Sequence, residues 1–226
     1  MIVSLSNLLA PHYCSSCGEI GSVLCEYCKY DIIEDRFMNC VVCGNIIADV
    51  TNLCKSCHVP FSKAWCVGER HQVLRRLLDD YKFNRRRSNH SVCADLLDDC
   101  LPVLPGDTKV TFVTTTPPDV RRRGYDHAQL IAKRFAKIRG LDIEKTIVRP
   151  TYRRQFGASK QERIDNAAES IRVDKTVQNV PYLLIDDIYT TGATVARASE
   201  QLLAAGAREV YVAILARQPL EKSRHI

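Results

Sequence analysis

Eight cysteines crowd between Cys14 and Cys57, every one in a C-x-x-C pair, and they constrain this part of the chain more tightly than any hydrophobic pattern does. Cys14, Cys17, Cys25 and Cys28 form one quartet; Cys40, Cys43, Cys54 and Cys57 form a second. A C-x-x-C knuckle sets two thiolates on one side of a tight turn. Two knuckles complete a tetrahedral tetrathiolate shell that suits Zn(II) and leaves no open coordination position, so the expected metal is structural zinc. Roughly sixty residues bury little core, and metal binding supplies the missing folding energy. The spacing leaves open whether each ion takes consecutive or interleaved knuckles. An iron–sulfur cluster and a redox dithiol are the competing chemistries for the same pattern.

The remaining cysteines, Cys66, Cys93 and Cys100, are scattered and read as ordinary core residues. Disulfides would be the alternative for all eleven in a secreted chain. The opening Met1 to Ala10, however, lacks the charged start and cleavage site of a signal peptide. No stretch approaches the roughly 20 apolar residues of a membrane helix. The expected location is therefore cytoplasmic, with no membrane span. Charge is uneven: Met1 to Pro60 holds three Lys or Arg against six Asp or Glu, a local −3 within a total of +6, which leaves +9 beyond Pro60. That basic excess favours anionic partners, whether a phosphorylated metabolite or a nucleic acid.

At 226 residues the chain has room for one ordinary domain and a small appendage. Residues 1–60 are expected to form the cysteine module and 61–226 the larger domain. Val73, Leu74, Leu77, Leu78 and Tyr81 recur at helical spacing, Arg85, Arg86 and Arg87 follow as a solvated basic turn, and a second helix is expected around Val92 to Leu101. From Lys109 the pattern becomes strand (Val110 to Thr115), helix (Asp126 to Ile138, stopped at Gly140), strand (Tyr182 to Ile188), helix (Ala193 to Ala205, stopped at Gly206) and strand (Glu209 to Leu215). Such alternation predicts an α/β fold, a parallel sheet flanked by helices. Arg149 to Asn166 is polar, basic and too long for an ordinary connection, and it reads as a lid.

The chemistry concentrates at Leu183-Leu184-Ile185-Asp186-Asp187-Ile188-Tyr189-Thr190-Thr191-Gly192-Ala193-Thr194. A buried strand runs into two acids, then into a hydroxyl-rich loop, then into a helix. The helix start offers unpaired N–H groups and a partial positive charge, Gly192 permits close backbone approach, and the threonines add donors: a cradle for a phosphate monoester. Two carboxylates beside a phosphate repel it, so Asp186 and Asp187 are assigned to sugar hydroxyls or to Mg²⁺. Phosphate in the loop and hydroxyls on the acids describe a ribose 5-phosphate. The alternative is an acidic turn before a helix capped by Thr190 or Thr191.

This segment resembles the motif by which type I phosphoribosyltransferases bind 5-phosphoribosyl 1-diphosphate (PRPP): a hydrophobic strand, two acids, and T-T-G-x-T. With the C-x-x-C pairs, the run Arg121-Arg122-Arg123-Gly124-Tyr125-Asp126, then Gln155, Arg163, Asn166 and the closing Leu215-Ala216-Arg217, nearly the whole chain resembles the competence protein F family. That resemblance implies a phosphoribosyltransferase-like sheet behind a double zinc ribbon, and a role in natural transformation, the uptake of DNA. It implies PRPP and Mg²⁺ at Asp186, Asp187, Thr190, Thr191, Gly192, Ala193 and Thr194, with Thr115 in a pyrophosphate loop at Thr114 to Pro118 and Arg123 neutralising the pyrophosphate. Where the family reads R-R-R-G-F-N-Q, this chain has Tyr125, Asp126 and His127, so Asp126 brings a negative charge toward an anion site.

Three functions follow from different classes. An enzyme would displace pyrophosphate from PRPP, with Asp186 and Asp187 at the reacting centre and an acceptor that the residues do not name. A nucleic-acid protein would hold incoming single-stranded DNA on Arg85, Arg86, Arg87, Arg121 and Arg122. Aromatic residues near basic ones are few (Trp65, Tyr81, Phe83, Tyr125, Tyr152 and Phe156), so that binding is expected to be electrostatic and weak. A sensor would use PRPP to control partners that the resemblance implies, a DNA-translocating helicase or a recombination mediator.

Overall fold

The computed structural model describes residues 12–47, 51–149 and 171–219. The expected lid lies outside these residues apart from Arg149, and so do Gln155, Arg163, Asn166, Tyr152 and Phe156. The described strands are β1 (Lys63–Glu69), β2 (Lys109–Phe112), β3 (Asp142–Ile143), β4 (Ile147–Val148), β5 (Arg172–Val173), β6 (Pro181–Tyr189) and β7 (Glu209–Arg217). The helices are α1 (Glu26–Glu34), α2 (Gln72–Phe83), α3 (Asn89–Cys100), α4 (Pro117–Arg123), α5 (His127–Arg139) and α6 (Ala193–Ala204).

Five strands form one parallel sheet in the order β1-β7-β6-β2-β3, while β4 and β5 pair antiparallel beside it. Strands buried on both faces carry unbroken apolar runs, as Tyr182 to Ile185 and Val210 to Ala216 do. Successive residues serve opposite faces. Leu183, Ile185, Tyr211 and Leu215 meet Leu77 and Tyr81 of α2, Leu96 and Leu97 of α3, and Ile131 and Phe135 of α5. On the other face Leu184, Val212 and Ile214 meet Val195 and Leu202 of α6. Truncating a wholly buried leucine such as Leu77 to alanine typically costs about 2–5 kcal/mol.

The cysteine region is split between these faces. Cys14, Leu24, Cys28 and Ile32 join the first cluster, whereas Phe37, Val41 and Phe61 join the second. The second group also covers the sheet's β1 edge, where unpaired backbone would otherwise invite association. Asn52 Oδ1 accepts from Cys66 N at 2.7 Å, Asn52 N donates to Ala64 O at 2.7 Å, and Phe37 N donates to Val67 O at 3.2 Å.

The predicted helices and the strands β6 and β7 appear close to their expected limits. Asp126 caps α5 by accepting from Gln129 N at 3.2 Å, and Gly140 ends it with φ +63°. The strand expected through Thr115 stops at Phe112, and the following threonines turn into a loop held by α5. Six elements have no counterpart among the expected ones: α1, the short strands β3, β4 and β5, the strand β1, and α4, whose Pro117-Pro118 start conceals a short helix.

Candidate functional site

In each cysteine quartet the four Sγ atoms lie within 4.8 Å of one another, and the quartets take consecutive knuckles: Cys14, Cys17, Cys25, Cys28 and Cys40, Cys43, Cys54, Cys57. A tetrahedron with metal–sulfur bonds of about 2.3 Å has edges of about 3.8 Å. The Cys17–Cys25 and Cys43–Cys54 sulfurs stand 3.7 Å apart and the Cys40–Cys57 pair 3.8 Å. Backbone N–H groups of Cys25 and Cys54 point at the sulfurs of Cys14 and Cys40, at 3.5 and 3.4 Å. Both groups fit zinc. Cys66 and Cys93 are buried and Cys100 is half-buried, as expected of structural residues.

The C-terminal ends of β2 and β6 open into a cleft of about 330 Å³. Asp187, only 6% exposed, sits at its floor. Its Oδ2 lies 2.8 Å from Lys82 Nζ and 2.5 Å from His127 Nε2. Both contacts hold the carboxylate through this one oxygen. Burial would raise the Asp187 carboxyl, but Lys82 and His127 outweigh it and hold it far below the usual range. Asp186 behaves oppositely: burial, and then the Asp187 charge, push it up to about 6.

These shifts carry opposite signs for stability. Asp187 stabilises the fold above about pH 4 and loses that contribution as pH falls. Asp186 contributes fully below about pH 4 and loses its contribution as pH rises through about 6. At neutral pH the cleft therefore holds a pair of ionised acids that oppose one another. A cation or a set of hydroxyl donors would relieve that repulsion.

His127 is fixed at both ring nitrogens. Arg123 Nη1 lies 2.9 Å from Nδ1 and can only donate, which assigns Nδ1 as acceptor and leaves Nε2–H to face Asp187. Asp126, the departure from the family pattern, turns away from the cleft. Its carboxylate accepts from Thr115 N at 3.0 Å, from Thr115 Oγ1 at 3.1 Å and from its own helix at Gln129 N, where negative charge is favoured. It thereby ties Thr115 beside His127. The expected conflict with an anion is thus absorbed by a helix start.

Thr115, Arg123, Asp186, Asp187, Thr190 and Thr194 all line the cleft. Thr115, however, has its N–H and hydroxyl engaged by Asp126 and His127. Thr191, Gly192 and Ala193 lie just behind the lining, where the Thr191 hydroxyl accepts from Ala193 N at 3.4 Å. Gly192 has φ +78°, and a Cβ there would stand 2.1 Å from Tyr189 Oη. The N-cap residue Gly192 has no side chain to offer, so beyond Ala193 N the first N–H groups of α6 are left for a ligand or solvent.

Sequence reasoning missed Lys82, His127, Arg149, Arg70 and Gln218, all of which line the cleft. Arg149 Nη2 lies 3.3 Å from Thr194 Oγ1, and its N donates to Thr114 Oγ1 at 3.1 Å, so it joins the two sides. Buried Nε atoms of Arg70, Arg123 and Arg149 have no hydrogen-bond partner among the described residues, which fits an anionic ligand. His127 follows directly on the arginine run, a usable signal; Lys82 is one lysine on a helix, and nothing in its neighbours marks it.

The arginine run divides. Arg123 lines the cleft, while Arg121 and Arg122 are exposed and do not line it. Arg85, Arg86 and Arg87 are exposed too, and Arg85 Nη2 donates to Arg122 O at 3.0 Å, which makes the two runs one basic rim. Phe83 adds an aromatic surface to this rim, 59% exposed and with Arg123 5.9 Å from its ring; Trp65, Tyr81 and Tyr125 are buried.

A parallel sheet flanked by helices, with acids at one strand end, a hydroxyl-rich loop entering a helix, and two tetracysteine ribbons in front, defines a phosphoribosyltransferase-like α/β fold with an N-terminal zinc-ribbon region. The chain is homologous to DNA utilization protein YhgH and to competence protein F. It is 26% identical over 220 residues to the YhgH protein of Salmonella typhi, covering 86% of this chain and 96% of that one. It is 27% identical over 215 residues to competence protein F of Haemophilus influenzae, covering 86% and 90%. Among solved structures, orotate phosphoribosyltransferase from Aeropyrum pernix aligns with a TM-score of 0.38 and 22% identity over 65% of this chain and 66% of that one. An allosteric regulatory enzyme of purine biosynthesis aligns at 0.40 and 22%, over 55% of this chain and 25% of that one. No family model matches the chain. Among the described residues, no helix is long and apolar enough to cross a membrane.

Proposed function

We propose that the cleft binds PRPP with Mg²⁺ and that the protein acts in DNA uptake, holding incoming single-stranded DNA on the adjoining basic rim. In this reading residues 1–60 are the metal module and 61–226 the ligand-binding domain. The observation that carries it is the juxtaposition of Asp186 and Asp187 with the Thr190–Thr194 loop, inside a cleft walled by the cations Lys82, Arg70, Arg123 and Arg149 and by one further acid, Asp119, which pairs with Arg122. Mg²⁺ would rest on Asp186 and Asp187 and supply charge neutralisation for a departing diphosphate. The α6 start, Thr190 and Thr194 would hold the 5-phosphate, with Arg149 beside it. Arg123 and Lys82 would face the diphosphate, and His127 would keep Asp187 oriented.

Relatives named for DNA utilization and competence support the DNA part of the reading, and the continuity of Arg85 with Arg122 gives a strand somewhere to lie. Calorimetry tests the ligand: PRPP with Mg²⁺ should bind the wild type, and Asp186→Asn with Asp187→Asn should abolish the heat while keeping the fold. Equal binding by both would remove the acids from the site. Release of pyrophosphate with a cell-extract fraction marks an enzyme, and binding without turnover marks a sensor.

A further inference from the structure

Arg217 ends β7 and is 2% exposed, yet among the described residues no carboxylate forms an ion pair with it. A buried guanidinium needs compensating charge as well as acceptors. Two of its acceptors lie on the first knuckle of the second quartet: Nε donates to Val41 O at 2.6 Å and Nη2 to Val42 O at 3.2 Å, the two residues between Cys40 and Cys43, while Nη1 reaches Gln218 O at 3.5 Å. The Phe37 ring, 5.7 Å away, covers it. Zn(II) in four thiolates carries a formal charge of roughly −2, so a zinc ion held by this quartet would supply the missing countercharge.

Arg217 also touches the anion-binding loop. It pairs in register with Tyr189, and Gln218 N donates to Tyr189 O at 2.8 Å. Tyr189 is the residue over which Gly192 closes. In the other direction Arg217 O accepts from Arg70 N at 2.7 Å, and Arg70 Nη1 donates to Gln218 Oε1 at 3.2 Å; both of those side chains line the cleft. We infer that Arg217 is a positioning residue through which metal occupancy of the Cys40 centre sets the geometry, and hence the affinity, of the anion cleft. This regulation rests on the proposed ligand reading.

The test uses the full zinc-loaded chain as wild type, Arg217→Gln, Arg217→Lys and, as control, Arg76→Gln. Arg76 makes a comparable bond to the first knuckle, Nη1 to Ser16 O at 2.9 Å, but is exposed. Zinc transfer to a coloured chelator and PRPP–Mg²⁺ calorimetry are measured on each. Arg217→Gln should release one of its ions at least tenfold faster and lose at least tenfold in affinity. Arg217→Lys should fall near threefold in both, and Arg76→Gln should match wild type. Unchanged release and affinity in Arg217→Gln overturn the inference, and so does faster release with unchanged affinity, because the relay to the cleft is then absent. If Arg217→Gln does not fold, Arg217→Lys decides by the same two measurements. If the wild type binds no PRPP, the ligand reading falls, and the zinc-release comparison alone decides Arg217.

Discussion

The two cysteine modules are near copies that meet the sheet in different ways. In each, the first cysteine's N–H donates at 2.8 Å to a residue five positions on, Cys14 to Glu19 and Cys40 to Asn45, and a glycine, Gly18 or Gly44, turns the knuckle at φ +81° or +78°. In each, an arginine from the larger domain reaches a knuckle carbonyl. Arg76 does so from the exposed face of α2, where water competes for the same groups. Arg217 does so inside the protein. The same bond is therefore dispensable at one module and structural at the other, because burial removes the solvent that would replace it. The first module braces the helical layer and the Arg86 end of the rim; the second braces the strand ends beneath the Thr190–Thr194 loop.

The largest expected effect breaks this comparison directly. Cys40→Ser with Cys43→Ser and Cys14→Ser with Cys17→Ser should each lose one equivalent of zinc and lower the melting temperature by at least about 10 °C, since structural zinc contributes folding energy outright. The ligand effects should cross. The Cys40/Cys43 variant should lose PRPP binding and the Cys14/Cys17 variant should keep it within about threefold, while single-stranded DNA binding weakens more in the latter. Metal analysis, calorimetry and anisotropy read the three quantities. Equal loss of both ligands in both variants would show that the modules are interchangeable.

This asymmetry could not be read from the sequence. The quartets, the β6 strand with its acids and loop, and the helices with clear caps were legible, because each is a local pattern: ligand spacing, an apolar run, an Asp126 start and a Gly140 stop. Arg217 stood out only by resemblance, since its partners lie about 175 positions earlier in the chain. Lys82 was hidden likewise, as its partner Asp187 comes from the other end of the domain. The strand β1 was missed because its seven residues end in Gly-Glu and follow the cysteine module without a turn signal. Asp126 misled by its charge: its place at the start of α5 was legible, but the bonds that tie its carboxylate to Thr115 were not.

A medium effect sharpens the comparison at two buried asparagines. Asn52 bridges the second module to β1, accepting from Cys66 N and donating to Phe37 O at 2.9 Å. Asn89 bridges the first, its Nδ2 lying 3.1 Å from both Ser15 Oγ and Leu77 O, with Oδ1 unpartnered among the described residues. Asn52→Ala strands a buried N–H and a buried carbonyl and should cost about 2–3 kcal/mol; Asn89→Ala should cost about 1–2 kcal/mol. Urea unfolding gives both numbers. A larger loss at Asn89 would reverse the order of the two attachments.

The smallest effect lies at Arg86, which joins the first module to the rim. Its Nη1 lies 3.2 Å from Tyr13 O and 3.2 Å from Asp80 Oδ2, with the side chain 41% exposed. A bond and an ion pair so open to water contribute little, so Arg86→Gln should change stability by less than about 1 kcal/mol. Its effect should instead appear in DNA binding. Removing one cation that neutralises a phosphate of a single strand lowers the slope of log affinity against log salt by about 0.7. Arg86→Gln should therefore weaken binding a few-fold at low salt, flatten the slope by up to that amount, and leave PRPP affinity unchanged, because Arg86 does not line the cleft. Anisotropy titrations of a single strand at several salt concentrations measure the slope. A slope identical to wild type would place the strand off this rim, whereas a parallel loss of PRPP affinity would mean that the first module reaches the cleft after all and the contrast between the modules is one of degree.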